Sequence, residues 1–381
     1  MTVLHSAAMR RDWIRFDRNE LAGAFGDIGT DLPLVVGLIL AAKLDAGSAL
    51  IMFGAMQVFT GLVYGMPMPV QPLKAMAALV IAQKLSGNVL FGGGLAIGVI
   101  MFVLTVTGLI GWLAQVVPKT VVRGIQFGLG LQLAMLAVKD YVQADGAAGY
   151  VLAAAGAVIT IVLMGNRRFP AALFVIALGV VYALFQFKFD AVGIGFRMPV
   201  VRAPEWNDIL TGLVVLAIPQ IPLSLGNSIL ATRQVAEDFF PERNLTIPKI
   251  SFTYSLMNLI NPWFGGIPTC HGSGGMAGHY TFGARTGGSV IIYGSMYLVL
   301  GLFFSGCFAQ LIQVFPKPIL GVMLAFEGLA MLVLVRDIAA SRRDLLIAAL
   351  VGLMCVGLPY GYAVGLIVGT ALVYLKMPQD Q

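Results

Sequence analysis

Nine long apolar runs decide most of what this chain can become. They cover residues 32–42, 47–66, 92–117, 146–164, 170–187, 209–231, 290–312, 318–335 and 345–375. About 20 mostly apolar residues suffice to cross a bilayer as a helix, and several of these runs reach that length. Together they are more apolar helix than one soluble core can bury. The runs are continuous rather than alternating, which excludes a transmembrane barrel. In lipid the backbone must satisfy its own polar groups, so helices remain. Charged residues make up 11% of the chain, against about a quarter in an average soluble domain. The basic residues gather between the runs, so the net charge of +6 is read as membrane-flanking and not as nucleic-acid binding. The first run follows Arg10, Arg11, Asp12, Arg15, Asp17, Arg18 and Glu20, a lead-in too long and too acidic for a cleaved leader. The reading is an all-α polytopic membrane protein embedded in the lipid bilayer, in the cell (inner) membrane if the source is bacterial.

The chain also repeats itself. "QVVPKTVVRG" at 115–124 returns as "QVFPKPILG" at 313–321, 198 residues later. Each follows one apolar run and opens another. A polar stretch near 189–208 divides the halves. The organisation read from this is a cytoplasmic segment 1–19, a first repeat 20–188, an extracytoplasmic linker 189–206 and a second repeat 207–376. Seven segments can be counted in each half, including one long segment over 92–117 and one over 287–312. An odd count makes the second half enter from the opposite side, giving fourteen segments as a 7+7 inverted repeat, a common plan of secondary transporters. With both termini cytoplasmic, sixteen Lys and Arg fall inside and seven outside, as the positive-inside rule asks.

The third segment of each half is the odd one. "PMPVQPLKAMAALV" (67–80) and "GGIPTCHGSGGMAGHY" (265–280) interrupt apolar sequence with proline, glycine and polar residues. Proline opens helices but does not continue them. Each stretch is therefore read as an extended lead-in to a half-helix that starts within the membrane. Such a start exposes unpaired N–H groups and the positive end of the helix dipole, and two of them facing each other suit an anion.

Further polar groups lie in apolar surroundings. Asp27, Thr30 and Asp31 stand in "GDIGTDLPL", and Gln220, Ser224, Asn227 and Ser228 in "IPQIPLSLGNS". Asp27 and Asp31 are four apart and share a helix face. Either can carry a coupled proton or make a structural hydrogen bond, and Asp31 can pair with Lys74. Lys74 itself has three readings: charge beside the anion, snorkelling, or pairing with an aspartate. His271 can bind the anion, respond to pH or bond a neighbouring helix. His279 is placed as structural or near the inner mouth. Glu327 is assigned to the interface between moving parts, with no substrate role. Gln71, Thr30, Gln220, Asn227 and Ser273 are neutral hydrogen-bonding groups that suit a tetrahedral oxyanion. Cys270, Cys307 and Cys355 are read as small buried hydrophobes, with no metal-ligand spacing among them and no cofactor implied.

At "GDIGTDLPL", "PMPVQPLKAMAA", "PQIPLSLGNSILAT" and "CHGSGGMAGHYTFGARTGGS" the chain resembles the molybdate transporters related to sulfate permeases. The resemblance implies a core domain (20–117 and 207–312) that carries the anion, and a gate domain (118–188 and 313–376) against which the core moves as an elevator. It implies molybdate as substrate, with Gln71, His271, Gly272 and Ser273 facing it and Asp27, Thr30, Gln220 and Asn227 lining the same pocket. Two departures stand out. Sulfate permeases append a cytoplasmic regulatory domain, whereas Gln381 lies five residues beyond Lys376, so the molybdate branch is the expectation. Asp31 stands where an aromatic or apolar residue is expected, so either aspartate can be the coupling group.

The function expected is secondary transport of a tetrahedral oxyanion, with protons as the coupling ion. Sulfate or tungstate as substrate, an uncoupled anion channel on the same fold, and a nucleobase-type carrier are the alternatives; the last would use carboxylates in the eighth and tenth segments, where this chain offers Gln220, Asn227 and His271 instead. No nucleophile–base spacing supports an enzyme. A homodimer is compatible with all of this.

Overall fold

The computed structural model describes residues 13–164, 171–186 and 194–375. Arg10, Arg11, Arg167, Arg168, Lys188 and Lys376 of the charge count lie outside the described residues, as do the termini. The first half runs α1 (Arg18–Ala24), α2 (Ile28–Ala41), α3 (Ala46–Tyr64), β1 (Val70–Pro72), α4 (Lys74–Gln83), α5 (Gly87–Val106), α6 (Ile110–Val116), α7 (Lys119–Tyr141), α8 (Gly146–Leu163) and α9 (Ala171–Gln186). The second runs α10 (Trp206–Phe239), α11 (Ile247–Ile260), β2 (Thr269–His271), α12 (Ser273–Thr281), α13 (Gly288–Phe303), α14 (Ser305–Val314), α15 (Lys317–Ile338), α16 (Arg342–Gly357) and α17 (Gly361–Tyr374).

Six described helices are long and apolar enough to cross a membrane, or eight if each bent pair counts as one span. The fourteen-segment count is larger because it includes shorter helices such as α4 and α17. Two expected segments divide where the sequence reading kept them whole. The run 92–117 breaks after α5 at Gly108, whose φ of +74° is a left-handed turn that costs glycine little. The run 287–312 breaks between α13 and α14, which meet at 95°.

Helix starts follow the usual chemistry of capping. Asp45 accepts from Ser48 N at 2.7 Å to open α3, and Ser86, Thr246 and Ser341 do the same for α5, α11 and α16. The long α10 carries π-helical turns at Leu213–Ala217 and Ser224–Ala231, on either side of Pro219 and Pro222. Two missing N–H donors disrupt the i→i−4 ladder, and the wider turns re-register it.

The tightest seam joins α3 to α13. Gly47, Gly54 and Gly61 face Gly301, Gly294 and Gly287 in antiparallel register, at seven-residue intervals on both helices. A Cβ on Gly54 would lie 2.6 Å from Gly294 O, and one on Gly287 would lie 2.1 Å from Gly61 O. The backbones therefore touch. Lipid gives apolar side chains no reason to prefer one another, so close packing of small residues supplies the association. Helices α5, α10 and α11 pack together beside this seam, and α7 packs on α15, α16 and α17.

Candidate functional site

Both interrupted stretches have the same local form, a three-residue strand followed by a short helix. β1 pairs antiparallel with β2 in the register Val70↔His271, Gln71↔Cys270, Pro72↔Thr269. Leu73 N donates to Pro268 O at 3.0 Å and Gly272 N to Pro69 O at 3.2 Å. α4 and α12 therefore leave the ribbon from opposite strands. A two-stranded ribbon has two bare edges, and within a membrane protein those groups need partners. Amide side chains supply them. Gln57 Oε1 accepts from Val70 N at 2.9 Å while its Nε2 donates to Val70 O at 2.7 Å. On the other edge Asn258 Oδ1 accepts from Thr269 N at 2.9 Å and Nδ2 donates to Thr269 O at 2.6 Å. Pro72, opposite Thr269, has no N–H to leave bare.

Between the two helix starts lies a cavity of about 240 Å³. Its lining includes Thr30, Gln71, Gln220, Asn227, His271, Gly272 and Ser273, so the seven residues singled out for binding come together from four separate stretches of chain. Lys74, Ser228, Cys270 and Leu334 also reach it. Asp27 and Asp31 do not line it. Asp27 stands behind Gln71, whose Nε2 donates to both of its oxygens at 2.7 and 2.8 Å.

The glycines around the cavity are spacing devices. A Cβ on Gly272 would lie 2.4 Å from the Gln71 side chain, and one on Gly275 would lie 2.1 Å from Asp27 Oδ2. Gly26 meets the backbone of Gly278 in the same way, which presses the α1–α2 bend onto α12.

Individual roles differ from the sequence reading in several places. Gln220 Oε1 accepts from Ala75 N at 2.9 Å and Met76 N at 3.3 Å. It thus caps α4, and its Nε2 donates to Ser224 Oγ at 3.1 Å. Ser224 in turn bonds Tyr254 at 2.7 Å. The N-cap of α12 is Gly272, which has no side chain to cap it, and Gly272, Ser273 and Gly274 line the cavity. His271 Nε2 bonds Thr253 Oγ1 at 2.7 Å, and its Nδ1 is buried without a hydrogen-bond partner among the described residues. His279 is buried against Ser289. Lys74 does not pair with Asp31. Its Nζ lies 2.8 Å from Glu327 Oε1 on α15, while Asp31 accepts a 3.4 Å bond from Tyr293. Cys270 and Cys355 are buried and Cys307 is half-buried.

Gln57, Tyr254 and Asn258 were missed. The available signal was an amide inside an apolar run, at residue 57 in "GAMQVFTG" and at 258 in "SLMNLI". One more buried group was read only as flanking charge. Glu20, 1% exposed, accepts from Arg285 N and Thr286 N at 2.9 Å and from Ser289 N at 3.0 Å. It caps α13.

Solved structures share this fold. The transmembrane domain of a cyanobacterium bicarbonate transporter, BicA, superposes with a TM-score of 0.68 at 18% identity, covering 95% of this chain and 98% of that one. The murine Slc26a9 anion transporter in its inward-facing state gives 0.72 at 14% identity, over 95% and 69%. The likeness is one of fold: a helical polytopic membrane-protein architecture shared with these two proteins. Sequence comparison narrows the class. The family described as "Molybdate transporter of MFS superfamily" matches residues 19–133 and 212–331. Molybdate transporter 1 of Arabidopsis thaliana is 35% identical, covering 93% of this chain and 87% of that protein. Molybdate transporter 1 of Chlamydomonas reinhardtii is 26% identical over 87% and 86%. The chain belongs to the molybdate transporter family.

Proposed function

We propose that the protein is a secondary transporter that takes up molybdate by alternating access, with protons as the coupling ion. The observation that carries this reading is the cavity itself, set where two short helices begin and lined by neutral donors beside one lysine. Thr30, Asn227 and Ser273 have hydroxyl or amide groups without other hydrogen bonds among the described residues, so they are available to a tetrahedral oxyanion. Sulfate and tungstate offer the same bonding pattern, and relative affinity decides among them.

Coupling follows from charge. A dianion entering an inside-negative cell works against about 2.3 kcal/mol per charge per 100 mV. Two buried carboxylates, Asp27 and Asp31, stand close behind the lining and would repel it further. Protonating one of them relieves both costs, and Asp27, tied to Gln71, is the better placed. With the bent α1–α2 pair counted as one span, each half orders its elements alike: two helices, a strand with a short helix, a long helix, then a short linking helix. That order supports the 7+7 inverted repeat. It also supports a core (20–117 and 207–312) that slides against a gate (118–188 and 313–376), with α6 and α14 as the connections.

The test is uptake of molybdate into proteoliposomes under an imposed pH gradient, with sulfate and tungstate as competitors. Accumulation that follows the gradient, and that falls in Ser273→Ala and Asn227→Ala, is expected. Uptake indifferent to both the gradient and these substitutions would remove the proposal.

A further inference from the structure

Lys74 is the first residue of α4 and lines the cavity. A cation there is an electrostatic anomaly. The start of a helix already carries partial positive charge, and carboxylates, not ammonium groups, are stabilised at that end. Only a nearby negative charge makes the arrangement favourable, and Glu327 now supplies it. Glu327 reaches from α15 to Lys74 Nζ at 2.8 Å, and the two side chains are 16% and 30% exposed. The other carboxylates nearby are engaged elsewhere, Asp27 by Gln71 and Asp31 by Tyr293. An oxyanion bound among Ser273, Asn227 and the α4 start would need the same ammonium group. It would also stand close to the Glu327 carboxylate with like charge.

We infer that Glu327 competes with the transported oxyanion for Lys74, so that this ion pair ties α4 to α15 in the empty protein and is exchanged for substrate on binding. The inference rests on the reading that the cavity takes an oxyanion, and it gives Glu327 the substrate-linked part that the sequence reading withheld. Two consequences follow. Substrate affinity is lowered by the fraction of time Lys74 is occupied by Glu327. A dianion displaces the single carboxylate more readily than a monovalent anion does, so the competitor also sharpens selection by charge.

The experiment measures molybdate affinity of the purified full-length protein by calorimetry, with nitrate as a monovalent competitor. If Glu327 holds Lys74 about nine-tenths of the time, Glu327→Gln tightens molybdate binding about ten-fold, and nitrate competes better than in wild type. Glu327→Asp keeps the charge on a shorter arm, weakens the pair and gives an intermediate gain. Lys74→Gln weakens binding. A merely structural pair gives the opposite sign, since its loss would loosen the site. Weaker or unchanged affinity in Glu327→Gln overturns the inference, and where that variant does not fold, the same result in Glu327→Asp does so. Failure of the wild type to bind molybdate or any competing oxyanion would instead sink the proposed function.

Discussion

Replacing Gln57 by leucine tests how the site is held together. Gln57 is fully buried, and its amide serves both free edge groups of Val70. Leucine fills nearly the same volume, so the change removes hydrogen bonds and little packing. It leaves one buried N–H and one buried C=O bare, at about 1–3 kcal/mol each. The expected loss is therefore about 2–6 kcal/mol, a large share of the stability of any domain. Gln57→Ala should be milder, because the space it opens can admit a water that bonds both groups. Gln57→Glu should be poor, since an ionised carboxylate accepts from Val70 N but offers nothing to Val70 O. The assay is thermal melting of the purified protein in detergent, with and without molybdate, alongside binding. A lowered midpoint with a reduced shift on adding molybdate is expected, because β1 positions Gln71. Asn258→Leu should repeat the pattern from the opposite edge. If Gln57→Leu melts and binds like wild type, the edge-clamp argument is wrong.

Three further outcomes are expected. Gly275→Ala places a methyl 2.1 Å from Asp27 Oδ2; overpacking of this kind costs about 1–3 kcal/mol, and transport should fall when measured as initial uptake. Asp27→Asn cannot take up a proton, so uptake that rises on external acidification in wild type should become flat across the same pH range in proteoliposomes. Glu20→Ala removes a charged acceptor from three N–H groups, each such bond being worth about 1.5–3 kcal/mol; the melting temperature should drop while molybdate affinity of the folded fraction stays unchanged.

Proline and glycine clustered with polar residues made the two interrupted stretches legible; proline alone would not have done so, since α10 continues through Pro219 and Pro222 by widening its turns. The polar residues that meet at the cavity were legible as a set, since Thr30, Asn227 and Ser273 have no other reason to sit in apolar sequence. Partner choice was not legible. Lys74 bonds Glu327 instead of Asp31 because α15, more than 240 residues later, brings its carboxylate across the site, and no local spacing encodes that. Gln220 lines the cavity as its sequence suggested, but its second part as a cap of α4 was not legible, since it depends on the Pro219–Pro222 turn of α10 lying against the start of α4. The breaks after α5 and α13 were hidden because apolar residues continue through both bends and hydropathy is blind to direction. Gly108 carries the first break, while chain geometry alone reveals the right angle at the second.

The glycine seam between α3 and α13 has a practical meaning for anyone who wants to watch this protein work. Two rods in main-chain contact at three glycine pairs spread over two heptads cannot shear without climbing over one another. A spin label or fluorophore on either rod therefore reports on both, and the pair can serve as a fixed ruler against which displacement of any other helix is read.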